Sequence, residues 1–286
     1  MQRQKRVAAV HDISGFGKCS LTVALPVISA AGIETAVIPT AVLSTHTGGF
    51  EGYTYRDLTE DILPMARHWA SLSLHFDAIY SGFLGSREQI QKVIELISLL
   101  DNGSTLKLID PAMADNGKMY SLFDKDFALE MLSLCKSGDV IVPNFTEAAF
   151  MLGEDYLPPP YSEDYVRGLI FKLREKTGAA VVLTGVSFCE DKIGAACIEK
   201  NSDSLSLCLA DTVDGMYHGT GDVFASVLTA ALVKGFSLDR ATKTAVEFTQ
   251  KCILRTRCAD RELRYGVDFE RGLGELSSLL MTKDDI

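Results

Sequence analysis

Tyr217-His218-Gly219-Thr220-Gly221-Asp222-Val223-Phe224-Ala225-Ser226 carries a glycine-bearing turn into an apolar run, and the reading of this stretch decides the fold. Gly219 and Gly221 let the backbone turn tightly around Thr220. Val223, Phe224, Val227, Leu228, Ala231 and Leu232 then recur at helical spacing, so a buried helix is predicted to begin at or just after Gly219. The first N–H groups of a helix lack internal partners and the macrodipole adds partial positive charge, so this turn is suited to cradle an anion. Asp222 falls in the same first turn. A carboxylate there competes with a phosphate for the donors unless it faces another group, such as the hydroxyl that attacks the phosphate. The pattern points to phosphoryl transfer, with Asp222 as base and Gly219, Thr220 and Gly221 as anion hole. A loop whose aspartate only stabilises a helix N-terminus is the plainer alternative.

Outward from this stretch, short apolar runs alternate with helical ones. Val7–Val10, Thr35–Leu43, Ala78–Tyr80, Leu106–Ile109, Val140–Val142 and Val181–Leu183 read as strands. Helices are predicted near 20–31, 58–72 and 88–100. Five of the strands run into polar or turn residues: His11-Asp12, Ser81-Gly82, Asp110-Pro111, Pro143-Asn144 and Thr184-Gly185. Alternating β and α elements predict a mostly parallel sheet with helices on both faces, and such sheets bind ligands outside the carboxyl ends of their strands. Asp12, Asp110, Asn144 and Thr184 would therefore converge on one edge. There is no internal repeat, and Pro158-Pro159-Pro160 reads as a rigid connection between helical stretches. One domain over 1–286 is the simplest organisation.

Composition fits that picture. The 286 residues are 47% hydrophobic and 23% charged, as in ordinary globular proteins, and the net charge of −10 argues against general nucleic-acid binding. Only four apolar residues precede His11, too few for a secretory signal, and no apolar run approaches a membrane span. The 7 cysteines (Cys19, Cys135, Cys189, Cys197, Cys208, Cys252 and Cys258) are odd in number and form no C-x-x-C pair. A reduced, cytoplasmic setting is expected.

Three further stretches bear on chemistry. Ser14-Gly15-Phe16-Gly17-Lys18-Cys19-Ser20 follows a strand and opens a helix, yet it satisfies neither the Walker pattern nor the dinucleotide fingerprint. Ser44-Thr45-His46-Thr47-Gly48-Gly49-Phe50-Glu51-Gly52-Tyr53 is poor helix material and reads as a flap, near 40–56, or as a surface hairpin. In Pro143-Asn144-Phe145-Thr146-Glu147, the asparagine and glutamate can form a capping box, and the same turn can present both oxygens to a hydrated Mg²⁺.

Gly219-Thr220-Gly221-Asp222 before a Phe-Ala-Ser helix, Asn144-x-x-Glu147 and Asp110-Pro111, in this order, resemble the ribokinase superfamily of small-molecule kinases. Within it, Ser44-Thr45-His46-Thr47-Gly48 and Ser81-Gly82-Phe83-Leu84-Gly85-Ser86 resemble pyridoxal kinases. The resemblance covers roughly residues 6–280. It implies a three-layer α/β/α sandwich and ATP-dependent phosphorylation of the hydroxymethyl group of a vitamin B6 vitamer: pyridoxal, pyridoxamine or pyridoxine. By motif position it implies Asp222 as base, Asn144 and Glu147 at Mg²⁺ and the phosphates, and Asp110 and Asp115 near the cation. Thr184 falls near the nucleotide phosphates, and Thr47 and Phe83 on the ring pocket. A homodimer and a monovalent cation such as K⁺ are implied as well.

One departure concerns the substrate. Asp12-Ile13-Ser14-Gly15 is closer to the hydroxymethylpyrimidine kinases of thiamin synthesis, and an aspartate can accept from a protonated ring nitrogen or exocyclic amine. Asp12, with Ser14, is the candidate for ring recognition; a strand-end turn is its other role. Two alternatives to a B6 kinase stand: a hydroxymethylpyrimidine or hydroxymethylpyrimidine-phosphate kinase, and a non-catalytic vitamer or nucleotide sensor.

Overall fold

The computed structural model describes residues 3–259 and 261–281. From the N-terminus, β1 (Arg6–Ser14), α1 (Leu21–Ala30), β2 (Glu34–Leu43), β3 (Tyr55–Asp57) and α2 (Thr59–Ser71) lead to β4 (Ala78–Ser81) and α3 (Arg87–Leu100). Next come β5 (Leu106–Ile109), the small hairpin β6 (Ala114–Asp115) and β7 (Lys118–Met119), α4 (Lys125–Cys135), β8 (Val140–Ile141) and α5 (Phe145–Leu152). The remainder is α6 (Glu163–Thr177), β9 (Ala180–Cys189), β10 (Lys192–Ile198), β11 (Leu205–Asp211), α7 (Thr220–Val233), α8 (Leu238–Arg257) and α9 (Leu273–Leu280).

One nine-stranded sheet runs in the order β11-β10-β9-β8-β5-β4-β1-β2-β3. The six strands from β9 to β2 pair in parallel, whereas β10, β11 and β3 are antiparallel additions at the two edges. The central strands are apolar on both faces because helices cover both. In β1, Val7 packs into one core and Ala8 and Val10 into the other; β9 divides Ala180 and Val182 from Val181 and Leu183 in the same way. Helices α2 to α6 cover one face, and α1, α7, α8 and α9 the other. The fold is the expected α/β sandwich with a mostly parallel sheet.

Helix α7 lies deepest. Every residue from Val223 to Ala231 is buried, so it is apolar around its whole circumference. Truncation of its Leu228, fully buried, to alanine should cost about 2–5 kcal/mol.

Two strand boundaries differ from expectation. β1 continues past Val10 to Ser14, with a register irregularity against β2 between His11 and Ile13, so Asp12 lies within an irregular strand rather than after it. β9 does not stop at Thr184-Gly185. Gly185 takes φ +80°, the pairing with β10 shifts register there, and the strand resumes to Cys189.

Candidate active site

Four helices carry a side-chain cap at their N-terminus. Ser86, Asp124, Asn144 and Ser162 each accept a hydrogen bond from the third residue of α3, α4, α5 and α6. Helix α7, like α1, α2, α8 and α9, has no side-chain cap, and what sets it apart is Gly219 before it at φ +77°. A β-carbon on Gly219 would overlap the carbonyl oxygen of Lys18, so the turn needs glycine for both conformation and space. The result is a first turn whose N–H groups are left for a ligand.

Asp222 stands in that turn. Burial raises its pKa to about 7, the Ser20 backbone N–H pulls it down, and the charge of Asp12 pushes it up. Ser20 also hydrogen-bonds through its side chain to Asp12, whose carboxylate accepts from Ser14 Oγ at 2.9 Å as well. Lys18 and Ser20 hold φ values of 57° and 54°, a conformation costly for residues with a β-carbon. Strained backbone between residues 17 and 20 thus places one residue across both aspartates. Lys18 itself turns away to Glu270, at 2.6 Å.

At the neighbouring strand ends, Asn144 and Glu147 make the complete capping box. The Glu147 N–H donates to Asn144 Oδ1 at 3.0 Å, and the Asn144 N–H donates to Glu147 Oε2 at 2.8 Å. The Met113 N–H reaches Glu147 Oε1 at 3.1 Å, and Asn144 Nδ2 donates to the Ala114 carbonyl at 2.8 Å, fastening the hairpin β6–β7 to α5. Burial and the charge of Asp110 nevertheless hold the Glu147 carboxyl well above the usual range, and burial with the charge of Asp222 does the same to Asp110. Thr184 bridges to the same corner, its N–H donating to the Pro143 carbonyl at 2.9 Å.

All of these groups open onto one cavity of about 920 Å³. Asp12, Ser14, Thr47, Phe83, Asp110, Asp115, Asn144, Glu147, Thr184, Gly219, Thr220, Gly221 and Asp222 line it together, so the structure gathers every sequence-derived candidate at one place. The flap stretch is the loop between the antiparallel strands β2 and β3, and His46 anchors it. The Gly48 N–H donates to His46 Nδ1 at 3.1 Å, and His46 Nε2 donates to the Arg264 carbonyl at 2.7 Å.

The cavity also has walls that the sequence left unmarked. Cys19 and Ser20 lie at its floor, His218 and Tyr120 on its sides, and a far arm is formed by Val213, Met216, Val246, Gln250 and Ile253. Val246, Gln250 and Ile253 share one face of α8 at helical spacing, a signal available in the sequence but indistinguishable there from core packing. Seven carboxylates line the cavity (Asp12, Asp110, Asp115, Glu147, Asp211, Asp214 and Asp222) and no lysine or arginine does. Among the described residues no group of three or more His, Cys, Asp or Glu side chains is arranged to hold a metal, so Asp110, Asp115 and Glu147 do not close into a cage. A hydrated Mg²⁺ needs only one or two carboxylates. Asp110, whose carboxyl makes no hydrogen bond with the described residues and feels the charge of Asp222, fits that need.

Comparison with known proteins agrees with this geometry. Residues 23–264 match the family described as phosphomethylpyrimidine kinase. A Bacteroides thetaiotaomicron protein, provisionally named a phosphomethylpyrimidine kinase and solved with pyridoxal, is 34% identical with a TM-score of 0.91, covering 96% of each chain. Pyridoxal kinase from Lactobacillus plantarum is 31% identical, TM-score 0.89, covering 97% of this chain and 98% of its own. The pyridoxine/pyridoxal/pyridoxamine kinase of Bordetella avium is 26% identical over 89% of this chain and 86% of its own.

Proposed function

This chain belongs to the phosphomethylpyrimidine kinase family, and from that premise we propose that it catalyses ATP-dependent phosphorylation of the hydroxymethyl group of a vitamin B6 vitamer to the 5′-phosphate. It is a phosphotransferase with an alcohol group as acceptor. The observation that carries the reading is the uncapped first turn of α7 with Asp222 inside it.

In this reading the flap residue Thr47, Phe83, Asp12 and Ser14 hold the ring, and its hydroxymethyl group lies against Asp222. Deprotonated Asp222 accepts the hydroxyl proton as the oxygen attacks the γ-phosphorus, and its pKa of about 7 suits a base working near neutrality. The N–H groups of residues 220–222, behind Gly219, stabilise the charge that develops on the transferring phosphoryl group. Thr184 and Asn144 orient the nucleotide phosphates. Asp110 and Glu147, with Asp115 at the hairpin, would hold Mg²⁺ largely through water. Mg²⁺ when bound would neutralise phosphate charge, and the carboxylate excess of the cavity supports a monovalent cation such as K⁺ beside it. A single domain over 1–286 with a flap near 40–56, a homodimer and a cytoplasmic location complete the proposal. Among the described residues no helix is long and apolar enough to cross a membrane.

A second reading has one observation in its favour. Asp12 is buried and positioned by Ser14 and Ser20, as recognition of an aminopyrimidine would require. ADP release with Mg-ATP and, in parallel, pyridoxal, pyridoxamine, pyridoxine and hydroxymethylpyrimidine decides between them. Preferred turnover of a B6 vitamer is expected; turnover of the pyrimidine alone would replace the substrate and keep the Asp222 mechanism.

A further inference from the structure

Both the proposed donor and the product are anions, yet among the described residues the cavity presents seven carboxylates and neither lysine nor arginine. The anion hole contributes N–H dipoles rather than a full charge. The remaining side chains on the lining that can become cationic are its two histidines.

The two are not equivalent. His46 uses Nδ1 to accept from the Gly48 N–H and Nε2 to donate to the Arg264 carbonyl, so a second proton on the ring would break the bond that anchors the flap. Burial lowers its pKa besides. His218 makes no hydrogen bond with the described residues through either ring nitrogen. It directly precedes Gly219, and its ring centroid lies 5.0 Å from that of His46. The ring occupies the space where Gly48 would carry a β-carbon, and it lines the same cavity as Gly219, Thr220, Gly221 and Asp222.

We propose that His218 is the cationic phosphate ligand of this cavity: when a phosphoryl group reaches the anion hole, His218 takes one proton from solvent and pairs as an imidazolium with a phosphate oxygen. This rests on the kinase reading above. The groups facing the ring set its readiness. From the flap, His46 has its pKa lowered by burial; from the hairpin, the charge of Asp115 favours the imidazolium. From the C-terminal segment, Arg264 lies beside Gly49 and is paired with Glu262, and on its own segment Asp222 follows four residues later. Burial lowers the ring pKa and the charge of Asp115 partly offsets it. An arriving phosphate adds negative charge next to Asp115 and reverses the balance.

The test compares wild type with His218→Gln and His218→Asn. It measures binding of pyridoxal and of its 5′-phosphate by absorbance across the histidine range, about pH 6 to 8. Titration of the ligand phosphate is common to all three proteins and cancels in the comparison. Pyridoxal affinity is expected to stay unchanged, while the variants bind the phosphate ester about tenfold more weakly at the acidic end, the deficit closing as pH rises. In wild type, the ring proton NMR titration of His218, assigned from its loss in the variants, should move to higher pH on adding the ester. Equal affinity for the ester, a deficit independent of pH, or an unmoved titration would overturn the inference. Turnover of pyridoxal by the same wild-type preparation keeps these outcomes separate from failure of the kinase reading, which would show as no turnover and would remove the inference with it.

Discussion

Two helix N-termini open on the same cavity and are built in opposite ways. α5 is closed by a reciprocal capping box, both oxygens of Glu147 being held by backbone N–H groups. α7 has no side-chain cap and enters through a left-handed glycine. The closed terminus fixes a carboxylate in place, so it can meet a cation only through its remaining lone pairs. The open terminus keeps its donors free, so it can meet an anion. What marks α7 is the left-handed glycine entry with Asp222 in its first turn, since other helices also lack side-chain caps.

The largest expected effect falls on the open terminus. Asp222→Asn should lower turnover by about 10²–10⁴-fold while pyridoxal binding persists, as steady-state rates and a binding titration would show. If turnover survives, Asp222 is not the base. In wild type, kcat/KM should rise with pH through about 7 as Asp222 loses its proton.

Gly219→Ala should follow closely. The left-handed φ and the overlap with the Lys18 carbonyl would force the turn apart, costing about 1–2 kcal/mol from the dihedral alone. Loss of aligned donors should lower turnover by about 10²-fold or more. An unaffected rate would mean that the turn is only a loop.

The next effect is thermodynamic. Folded Asp222 keeps its proton to about pH 7, whereas the unfolded chain releases it near the ordinary value of 3.8. Between those values the folded state binds more protons, so the stability of the ligand-free protein should fall as pH rises across that window. Asp222 keeps partial exposure, and solvent screening holds its contribution to about 1–3 kcal/mol. Urea unfolding of wild type and Asp222→Asn across the window tests it; parallel profiles would remove Asp222 from the account. The smallest effect belongs to the closed terminus: Asn144→Ala should cost about 1 kcal/mol, lowering the melting temperature by about 2–4 °C.

The core of this architecture was legible because it obeys local rules. The central strands are unbroken apolar runs, and the capping box at Asn144 and Glu147 can be read from spacing alone. The outer strands were not. β11 alternates half-buried and exposed residues at a sheet edge, and β10 carries Gly194 and small alanines, so neither shows a strong strand pattern. Thr184-Gly185 reads as a strand end because glycine usually breaks strands, whereas here it only kinks one. The contribution of Ser20 was invisible for another reason. Its positive φ is imposed by tertiary contacts, and serine gives no hint of it. Asp222, Asp110 and Asn144 were found because strand-end position and helix onset are properties of the chain order; the wall from α8 was not, since a cavity-facing stripe and a core-facing stripe look alike.

His46 has a mechanical consequence. A β-carbon on Gly17 would overlap its ring, so the flap and the 15–20 turn are meshed like two gears, and the Gly48 and Arg264 hydrogen bonds keep the teeth engaged. The loop that carries His46 and the segment whose Ser20 N–H touches Asp222 therefore share one contact, so a substitution at Gly17 would be felt at both.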